Sequence, residues 1–481
     1  MTHDLLYKFP ENEVYSDPEL YQNLHLDKTF GIFAFNKSQL EIFLNTLCKP
    51  VLKKENINYR REIVEDFLAF PEMLSSFEKW FGVIEKQKTD KLLQFGLSGK
   101  YSATSATDSA FHSHVTLVRD KAQSLEVVIR ALKKAEFYSE RKNLQSEGLK
   151  TLVDRIRQII ASEAFLDLQD ACGSLSTLSP EYRYELCASI GESARVTEVG
   201  LVRADYPPER VLKKPRFLRL NPNESEVRGN TTSLRNVYVS SSLKEIADII
   251  SKIEANIYNE FKLISKQLAF YRTAVNYLNF IKEKGIPLVY PSINNDGEIN
   301  IEELYDLNLC TQLEEVIPND VKMQNGMKGL LLRGENNSGK TVYIRSVGTS
   351  QLLFQAGLPI TASSATLTPV TGVYTQYAAS EREFEEGNSA GRFEQEVMVL
   401  ARFLDNVTPG SLIILNETFQ TTAYEEGAEG LYNILQALER IGIRWMLVTH
   451  LHSLFDKFTQ EDVAMLEVKS DGSHKVQKYI K

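Results

Sequence analysis

The sequence predicts an α/β phosphate-loop domain from residue 286 onward, preceded by a mainly α-helical domain. Three observations carry that reading. Gly334-Glu335-Asn336-Asn337-Ser338-Gly339-Lys340-Thr341 fits the pattern G-x-x-x-x-G-K-[ST] and stands between an apolar strand-like run, Lys328 to Arg333, and a helix-like run, Val342 to Gln355. A second short apolar run, Leu412-Ile413-Ile414-Leu415-Asn416-Glu417-Thr418, ends on an acidic residue. Buried parallel strands look like this, with polar chemistry gathered at their C-terminal ends. Apolar residues from Leu243 to Leu278 recur every three or four positions, and no proline or glycine interrupts them before Gly285-Ile286-Pro287. That is the signature of one long helix of roughly 40 residues and roughly 60 Å.

Composition sets the outer bounds. A chain of 481 residues exceeds one ordinary core and implies two to four domains. Its 43% hydrophobic and 25% charged content is that of a globular protein. No apolar run approaches the about 18 residues of a membrane span. The N-terminus lacks a basic region followed by an apolar stretch, so no signal peptide is expected. Cys48, Cys172, Cys187 and Cys310 lie far apart without C-x-x-C spacing, which reads as buried thiols in a reducing cytoplasm, neither disulfides nor zinc ligands. The net charge of −9 neither supports nor excludes nucleic acid, because a local basic surface can act within an acidic protein.

Residues 1–55 mix short apolar runs with turns. From Ile57 to about Arg195 the pattern is mostly helical: one helix starts at Arg61 and is bounded by Pro71, and Ser124 to Ala135 and Gly148 to Ser162 carry amphipathic spacing. Arg195 to Val239 changes character, with Pro207-Pro208, Pro215, Pro222 and Gly229, and with alternating segments at Arg216 to Leu220 and Asn236 to Val239. Short strands and loops are expected there. Between Arg203 and Arg235 eight Lys/Arg stand against four Asp/Glu. Two readings stand for this stretch, a phosphate-contacting surface and an ordinary solvated loop. The long helix that follows packs into a bundle or serves as a lever.

The phosphate loop sets specific roles. Gly334 and Gly339 let the backbone wrap an oxyanion, and Asn337 and Ser338 lie within the same loop. Lys340 reaches the β- and γ-phosphates and Thr341 offers its hydroxyl to Mg²⁺. The second strand begins roughly 75 residues after Lys340 and ends at Glu417, which is placed to polarise an attacking water. Asn416 holds the position where an Asp usually supports Mg²⁺; it keeps an acceptor oxygen and loses the charge, so weaker Mg²⁺ binding and slower turnover are expected. A third strand, Trp445 to Val448, leads into Thr449 and His450, roughly 30 residues after Glu417, where a γ-phosphate sensor would sit. His452 is an alternative ring for that role. Between these blocks, Glu383 to Glu396 contains Gly387, Ser389 and Gly391 at the head of a predicted helix. It is either a plain helix cap or a second anion site that meets a partner subunit's nucleotide.

Taken together these blocks resemble the ATPase of the MutS mismatch-repair family, a branch of the ABC-type ATPases. The stretches that carry the resemblance are Gly334 to Arg345, Gly357-Leu358-Pro359-Ile360, Gly387 to Glu396, Leu412 to Gly427 and Thr449-His450, with Val316 to Asp320 and Arg60 to Val64 upstream. The resemblance covers about residues 55–481, most specifically the last 150. It implies an α/β P-loop (ABC-type) ATPase domain over 286–481, preceded by a mainly α-helical lever domain over 56–285 with a reduced clamp near 196–240. It also implies ATP and Mg²⁺ as cofactors and a homodimer with composite sites. In each site Gly334, Asn337, Ser338, Gly339, Lys340 and Thr341 of one subunit would be completed by Ser389 or Gly391 of the other. Thr341 and Asn416 would flank the metal, and Glu417 and His450 would be the catalytic pair.

Four departures qualify the resemblance. The sequence begins without room for mismatch-reading and connector domains, so mismatch recognition is not expected. Asn416 replaces the usual Asp. Gly391-Arg392-Phe393 stands where a Ser-Thr-Phe run is usual. The sequence ends in a predicted hairpin, Val463 to Ile480, without the helix-turn-helix that commonly supports dimerisation or a nuclease-like extension. The expected function is an ATP-dependent, cytoplasmic DNA-binding protein of the MutS type that dimerises through its nucleotide sites and grips duplex or branched DNA by backbone and shape. Two rivals stand beside it: a dimeric ATPase acting on ribosomes, and a nucleotide-binding scaffold with little hydrolysis, which Asn416 favours and the retained Glu417 and His450 oppose.

Overall fold

The structure is a computed structural model that describes residues 4–11, 19–94, 106–139, 142–178, 183–190, 196–205, 231–377, 397–398, 400–401, 404–405, 407–418, 424–469 and 471–479. The chain forms two compact units that interleave along the sequence, rather than domains in simple succession. One comprises Glu72–Asn143 and Lys150–Ser265; the other comprises Asp4–Pro71, Leu144–Leu149 and Lys266–Lys481.

In chain order the N-terminal helices are α1 (Leu20–Asn23), α2 (Leu26–Gly31), α3 (Lys37–Leu47) and α4 (Lys54–Ala69). They are followed by α5 (Pro71–Gln94), α6 (Ala106–Ser139), α7 (Glu147–Ala161) and α8 (Glu163–Leu175). The helix that starts before Arg61 ends at Ala69, and Pro71 opens the next one, a position where its missing N–H costs nothing. The helical unit buries Phe77, Phe81, Val118, Leu125, Leu132, Leu152, Ile156 and Phe261. Phe81 and Phe261 stack with ring centroids 5.2 Å apart. Two strands, β1 (Arg183–Ile190) and β2 (Val196–Asp205), pair antiparallel from Arg183 opposite Asp205 to Ile190 opposite Val196.

Here the sequence reading needs three corrections. Residues 183–190 form a strand where helix is expected, because a short apolar run suits either state and the pairing with β2 decides. Asn236 to Val239 is helical: the long helix α9 spans Thr231–Glu283, 53 residues and roughly 80 Å, so its continuity overrides the strand preference of two valines and a tyrosine. Residues 1–55 carry α1 to α3 and belong, from Asp4, to the same unit as the C-terminal α/β fold. The proline-rich stretch with Arg216 to Leu220 lies outside the described residues.

The second unit contains β3 (Ser292–Ile293), β4 (Ile299–Leu304), α10 (Leu307–Gln312), β5 (Asn319–Met323), β6 (Gly329–Arg333), α11 (Lys340–Gln355), β7 (Ser364–Leu367), β8 (Val373–Tyr377), β9 (Leu412–Asn416), β10 (Arg444–Val448), β11 (Val463–Val468) and β12 (Val476–Lys478). Six strands form a sheet in the order β12-β11-β6-β10-β9-β8. From β11 to β8 all pairings are parallel; β12 closes the edge as an antiparallel hairpin with β11. A smaller sheet has the order β3-β7-β4-β5. Helices Tyr424–Arg440 and His452–Lys457 contribute to a core with Leu431, Leu435, Trp445, Leu447 and Phe455. Gly329 is needed where it stands, since a Cβ there would lie 2.2 Å from the Trp445 ring. Among the described residues no helix is long and apolar enough to cross a membrane.

The N-terminal helices are fastened to the α/β unit by polar contacts as well as by packing. Asn23 Nδ2 donates to Thr375 Oγ1 at 3.1 Å, and Thr29 Oγ1 donates to Asn308 Oδ1 at 3.1 Å. Arg345, on the helix that follows the phosphate loop, lies 3.5 Å from Asp306 Oδ2, with both side chains buried. Its Nη1 donates to His25 Nδ1 at 3.0 Å. A guanidinium only donates, so this contact requires the ring nitrogen unprotonated. Burial, then Arg345 and Lys28, push His25 below 6.5, against Asp27 and Asp306. Asp306 is pushed up by burial, opposed first by Arg345.

The two shifts act in opposite senses. His25 binds its proton more weakly in the fold than in the unfolded chain, so its contribution to stability is present above pH 6.5 and is lost as the pH falls below that value. Asp306 contributes below 3.8 and loses that contribution as the pH rises through its folded value. The melting temperature should therefore fall between about pH 7.5 and about pH 5.5. His25→Asn keeps an acceptor for Arg345, tolerates the left-handed backbone at φ 56° and removes the titration, so it should shrink that drop. An unchanged drop in the variant would assign the acid sensitivity to other groups.

Candidate functional site

Parallel register builds the site. Val448 on β10 is paired with Leu332 on β6 and with Asn416 on β9, and Asn416 is paired with Tyr377 on β8. Three of these strands end in that row and β6 one residue beyond it, so the residues that follow share one end of the sheet. Two backbone bonds fix this edge: Thr449 N–H donates to Leu332 O at 3.2 Å, and Glu417 N–H donates to Val448 O at 2.9 Å.

Beyond β6 the chain turns through Gly334 to Gly339 into α11. A Cβ at Gly334 would lie 2.9 Å from Ser338 Oγ and 3.1 Å from Val468 Cβ, so any larger residue would have to push both side chains aside where the loop returns closely. Asn337 sits at φ 63° and Gly339 at φ 107°, which rotates successive peptide groups into a nest at the N-terminus of α11. Lys340 is the first residue of that helix and is 4% exposed. Its ammonium donates to the carbonyls of Gly334 at 2.9 Å and Glu335 at 2.8 Å, and lies 3.8 Å from Glu417 Oε1. Burial pulls its pKa below the ordinary lysine value, and Glu417 opposes that shift. An approaching phosphate would favour the charged form further.

Thr341 Oγ1 donates to Asn416 Oδ1 at 3.3 Å. Glu417 holds a left-handed backbone at φ 59°, unusual for a non-glycine residue and consistent with a side chain re-aimed for chemistry. His450 Nε2 lies 3.0 Å from Glu417 Oε1. Glu417 is thereby held between an ammonium and an imidazole. His452 lies at the rim of the same cavity and is exposed.

The cavity measures about 1050 Å³ and is lined by Asn336 to Val342, Glu417, Thr418 and Thr449 to His452. It brings together Asn337, Ser338, Gly339, Lys340, Thr341, Glu417 and His450, with Asn416 one hydrogen bond away and Gly334 at the root of the loop. Ser389 and Gly391 lie outside the described residues. Sequence reasoning quoted Asn336, Thr418 and Thr449 within its motifs without giving them a role, and it missed His474. His474 Nδ1 lies 2.8 Å from the carbonyl of Ser338, although 136 residues separate the two. Only the fold brings the hairpin turn to the loop; nothing in the local sequence marks it.

These residues fit a nucleoside triphosphate. The loop offers backbone N–H groups and a lysine to phosphates, and Thr341 with Asn416 offers two neutral oxygens where a hydrated cation would sit.

A family model described as MutS domain V matches residues 330–480, and one described as MutS2 N-terminal domain matches residues 53–284. The DNA mismatch repair protein MutS of Clostridioides difficile is 25% identical over 284 residues, covering 54% of this chain and 30% of that protein. The endonuclease MutS2 of Halothermothrix orenii is 29% identical over 231 residues, covering 47% of this chain and 28% of that protein. The DNA mismatch repair protein MutS of Rhodopirellula baltica is 33% identical over 173 residues, covering 34% of this chain and 19% of that protein. The chain thus spans less than a third of the length of these relatives.

Gly339→Ala tests the nest. At φ 107° a Cβ is strained by roughly 1–2 kcal/mol. Titration with a fluorescent ATP analogue should show at least tenfold weaker binding, with the helical circular dichroism unchanged. Wild-type affinity in the variant would show that the loop does not need this conformation.

Proposed function

We propose that this chain, which belongs to the MutS family, is an ATP-dependent DNA-binding protein that dimerises through its nucleotide sites. One observation carries the reading: a single cavity joins the phosphate loop at Lys340 and Thr341 to Glu417 and His450 at the ends of neighbouring parallel strands. The names of the matched relatives, mismatch repair protein and endonuclease, favour DNA as the macromolecule acted on. The locally basic segment from Arg203 to Arg235 is compatible with phosphate contacts. Buried free thiols at Cys48, Cys172 and Cys310 suit a cytoplasmic protein.

Bound ATP with Mg²⁺ would supply the phosphoanhydride whose cleavage drives the cycle. The chain's own residues bind, orient and time it. Lys340 exchanges the carbonyls of Gly334 and Glu335 for phosphate oxygens, a charge-assisted contact stronger than those it gives up. Release of Lys340 removes one hold on Glu417 while its contact with His450 persists, and the carboxylate is then placed to orient a water. Thr341 and Asn416 would hold the cation through neutral oxygens, so the negative charge that attracts it would come from the phosphates. Ser389 or Gly391 of a second copy completes the site, and the long helix α9, which contributes to both units, conveys the change to the helical unit.

Asn416 favours a second reading, a nucleotide-gated scaffold with slow turnover. Phosphate-release assays separate the two. Glu417→Gln should lower turnover by roughly 10²-fold. Asn416→Asp should raise turnover and reduce the Mg²⁺ concentration needed for half-maximal rate. Equal, near-zero rates in wild type and Glu417→Gln would leave only the scaffold.

Binding to duplex or junction DNA should weaken steeply between about 50 and about 200 mM salt. Failure to retain either DNA at low salt with ATP present would remove DNA from the proposal.

A further inference from the structure

We infer that His474 is a positioning residue for the phosphate loop and that the C-terminal hairpin braces the nucleotide site; this rests on the nucleotide reading above. The contact is specific in chemistry. Ser338 O is a carbonyl and accepts only, so His474 Nδ1 must carry the hydrogen. Ser338 precedes Gly339, the residue whose positive φ turns the loop into α11, so a bond to its carbonyl fixes the peptide plane on which the neighbouring N–H depends. The imidazole stands close to the loop itself: a Cβ on Gly339 would lie 3.8 Å from Nδ1.

The hairpin turn is fixed from a second direction. Asn319 Nδ2 donates to His474 O at 3.2 Å, Val476 N–H donates to Asn319 Oδ1 at 2.8 Å, and Lys475 Nζ donates to Pro318 O at 2.5 Å. Residues 318–320 are tied in turn to the loop's own helix, because Tyr343 Oη donates to Asp320 O at 2.9 Å. Contacts therefore close a ring from the loop through His474, the hairpin turn and the start of β5 back to α11. Within the loop Lys340 satisfies the carbonyls of Gly334 and Glu335, and His474 satisfies that of Ser338. When Lys340 turns to phosphate, its two carbonyls lose that donor, whereas the bond from His474 does not depend on Lys340. The hairpin then holds the loop in shape at the step where its internal support is withdrawn. His474 is not among the residues that line the cavity and acts through the loop.

Two substitutions separate the hydrogen bond from the backbone. His474 sits at φ 52°, which glycine and asparagine both tolerate. His474→Gly removes the donor; His474→Asn returns an N–H donor near the position of Nδ1. With the full chain and a fluorescent ATP analogue, His474→Gly should weaken binding by roughly fivefold, the worth of one hydrogen bond, while His474→Asn stays within about twofold of wild type. In steady-state phosphate release the loss should fall on KM, with kcat nearly unchanged. Equal affinity in wild type and His474→Gly overturns the brace while leaving the nucleotide reading intact. Equal loss in both variants also overturns it, since the donor would then not matter. Absence of analogue binding by the wild type overturns the nucleotide reading and the brace together.

Discussion

Much of the structure follows from the parallel register of β6, β10, β9 and β8. Because Leu332, Val448, Asn416 and Tyr377 pair across one row, every residue just past that row is delivered to the same place. Three chain segments far apart in sequence thereby contribute a lysine, a carboxylate and an imidazole to one cluster, where the lysine and the imidazole both meet the carboxylate. A slip of one residue in any pairing would turn its side chains to the opposite face and move its chemistry out of reach. The buried apolar strands, with Leu330 to Leu332, Leu412 to Leu415 and Trp445 to Val448 scarcely exposed, are what hold that register.

Within the cluster Glu417 is the point of competition. Lys340 and His450 both approach the same carboxylate oxygen, at 3.8 and 3.0 Å. A phosphate attracts the ammonium and not the carboxylate, so ligand binding redistributes these contacts rather than adding to them. Asn416 bears on the same balance. With an amide there, Glu417 is the one carboxylate among the described residues that line the cavity, and its environment stays more responsive to Lys340 than it would beside a second negative charge.

The sequence made the parts of this site legible where a local pattern carries the physics. Gly334 to Thr341, the strand ending at Glu417 and the strand ending before His450 are contiguous motifs, and strand, turn and helix follow from a few neighbouring residues. The pattern was silent where the physics is long-range. His474 and Ser338 are 136 residues apart. His25 and Arg345 are separated by 320, and their contact depends on a left-handed histidine that no periodicity reveals. The hairpin β1–β2 was hidden for a related reason: an eight-residue run such as Arg183–Ile190 fits a helix or a strand equally until its partner is known. The first 55 residues looked like a separate preface because their apolar side chains, Leu20, Phe30 and Phe43 among them, are buried by helices and strands encoded hundreds of residues later.

That interleaving sets an order of events during synthesis. The unit that holds the phosphate loop begins at Asp4, pauses after Pro71, and is finished only by residues from Lys266 to the end of the chain. At about 5–20 residues per second, α1 to α3 wait on the order of tens of seconds for the strands and helices that cover them. During that interval Leu24 lacks Gly348, against which it lies in the finished fold, and Phe30 and Phe43, which meet each other, lack Tyr277 and Phe270. The helical segment from Glu72 to Asn143 emerges meanwhile, and most of its partners come soon after it. The protein therefore exposes its most apolar N-terminal surface longest while it is being made, and chaperone demand should track the first 50 residues rather than the nucleotide site.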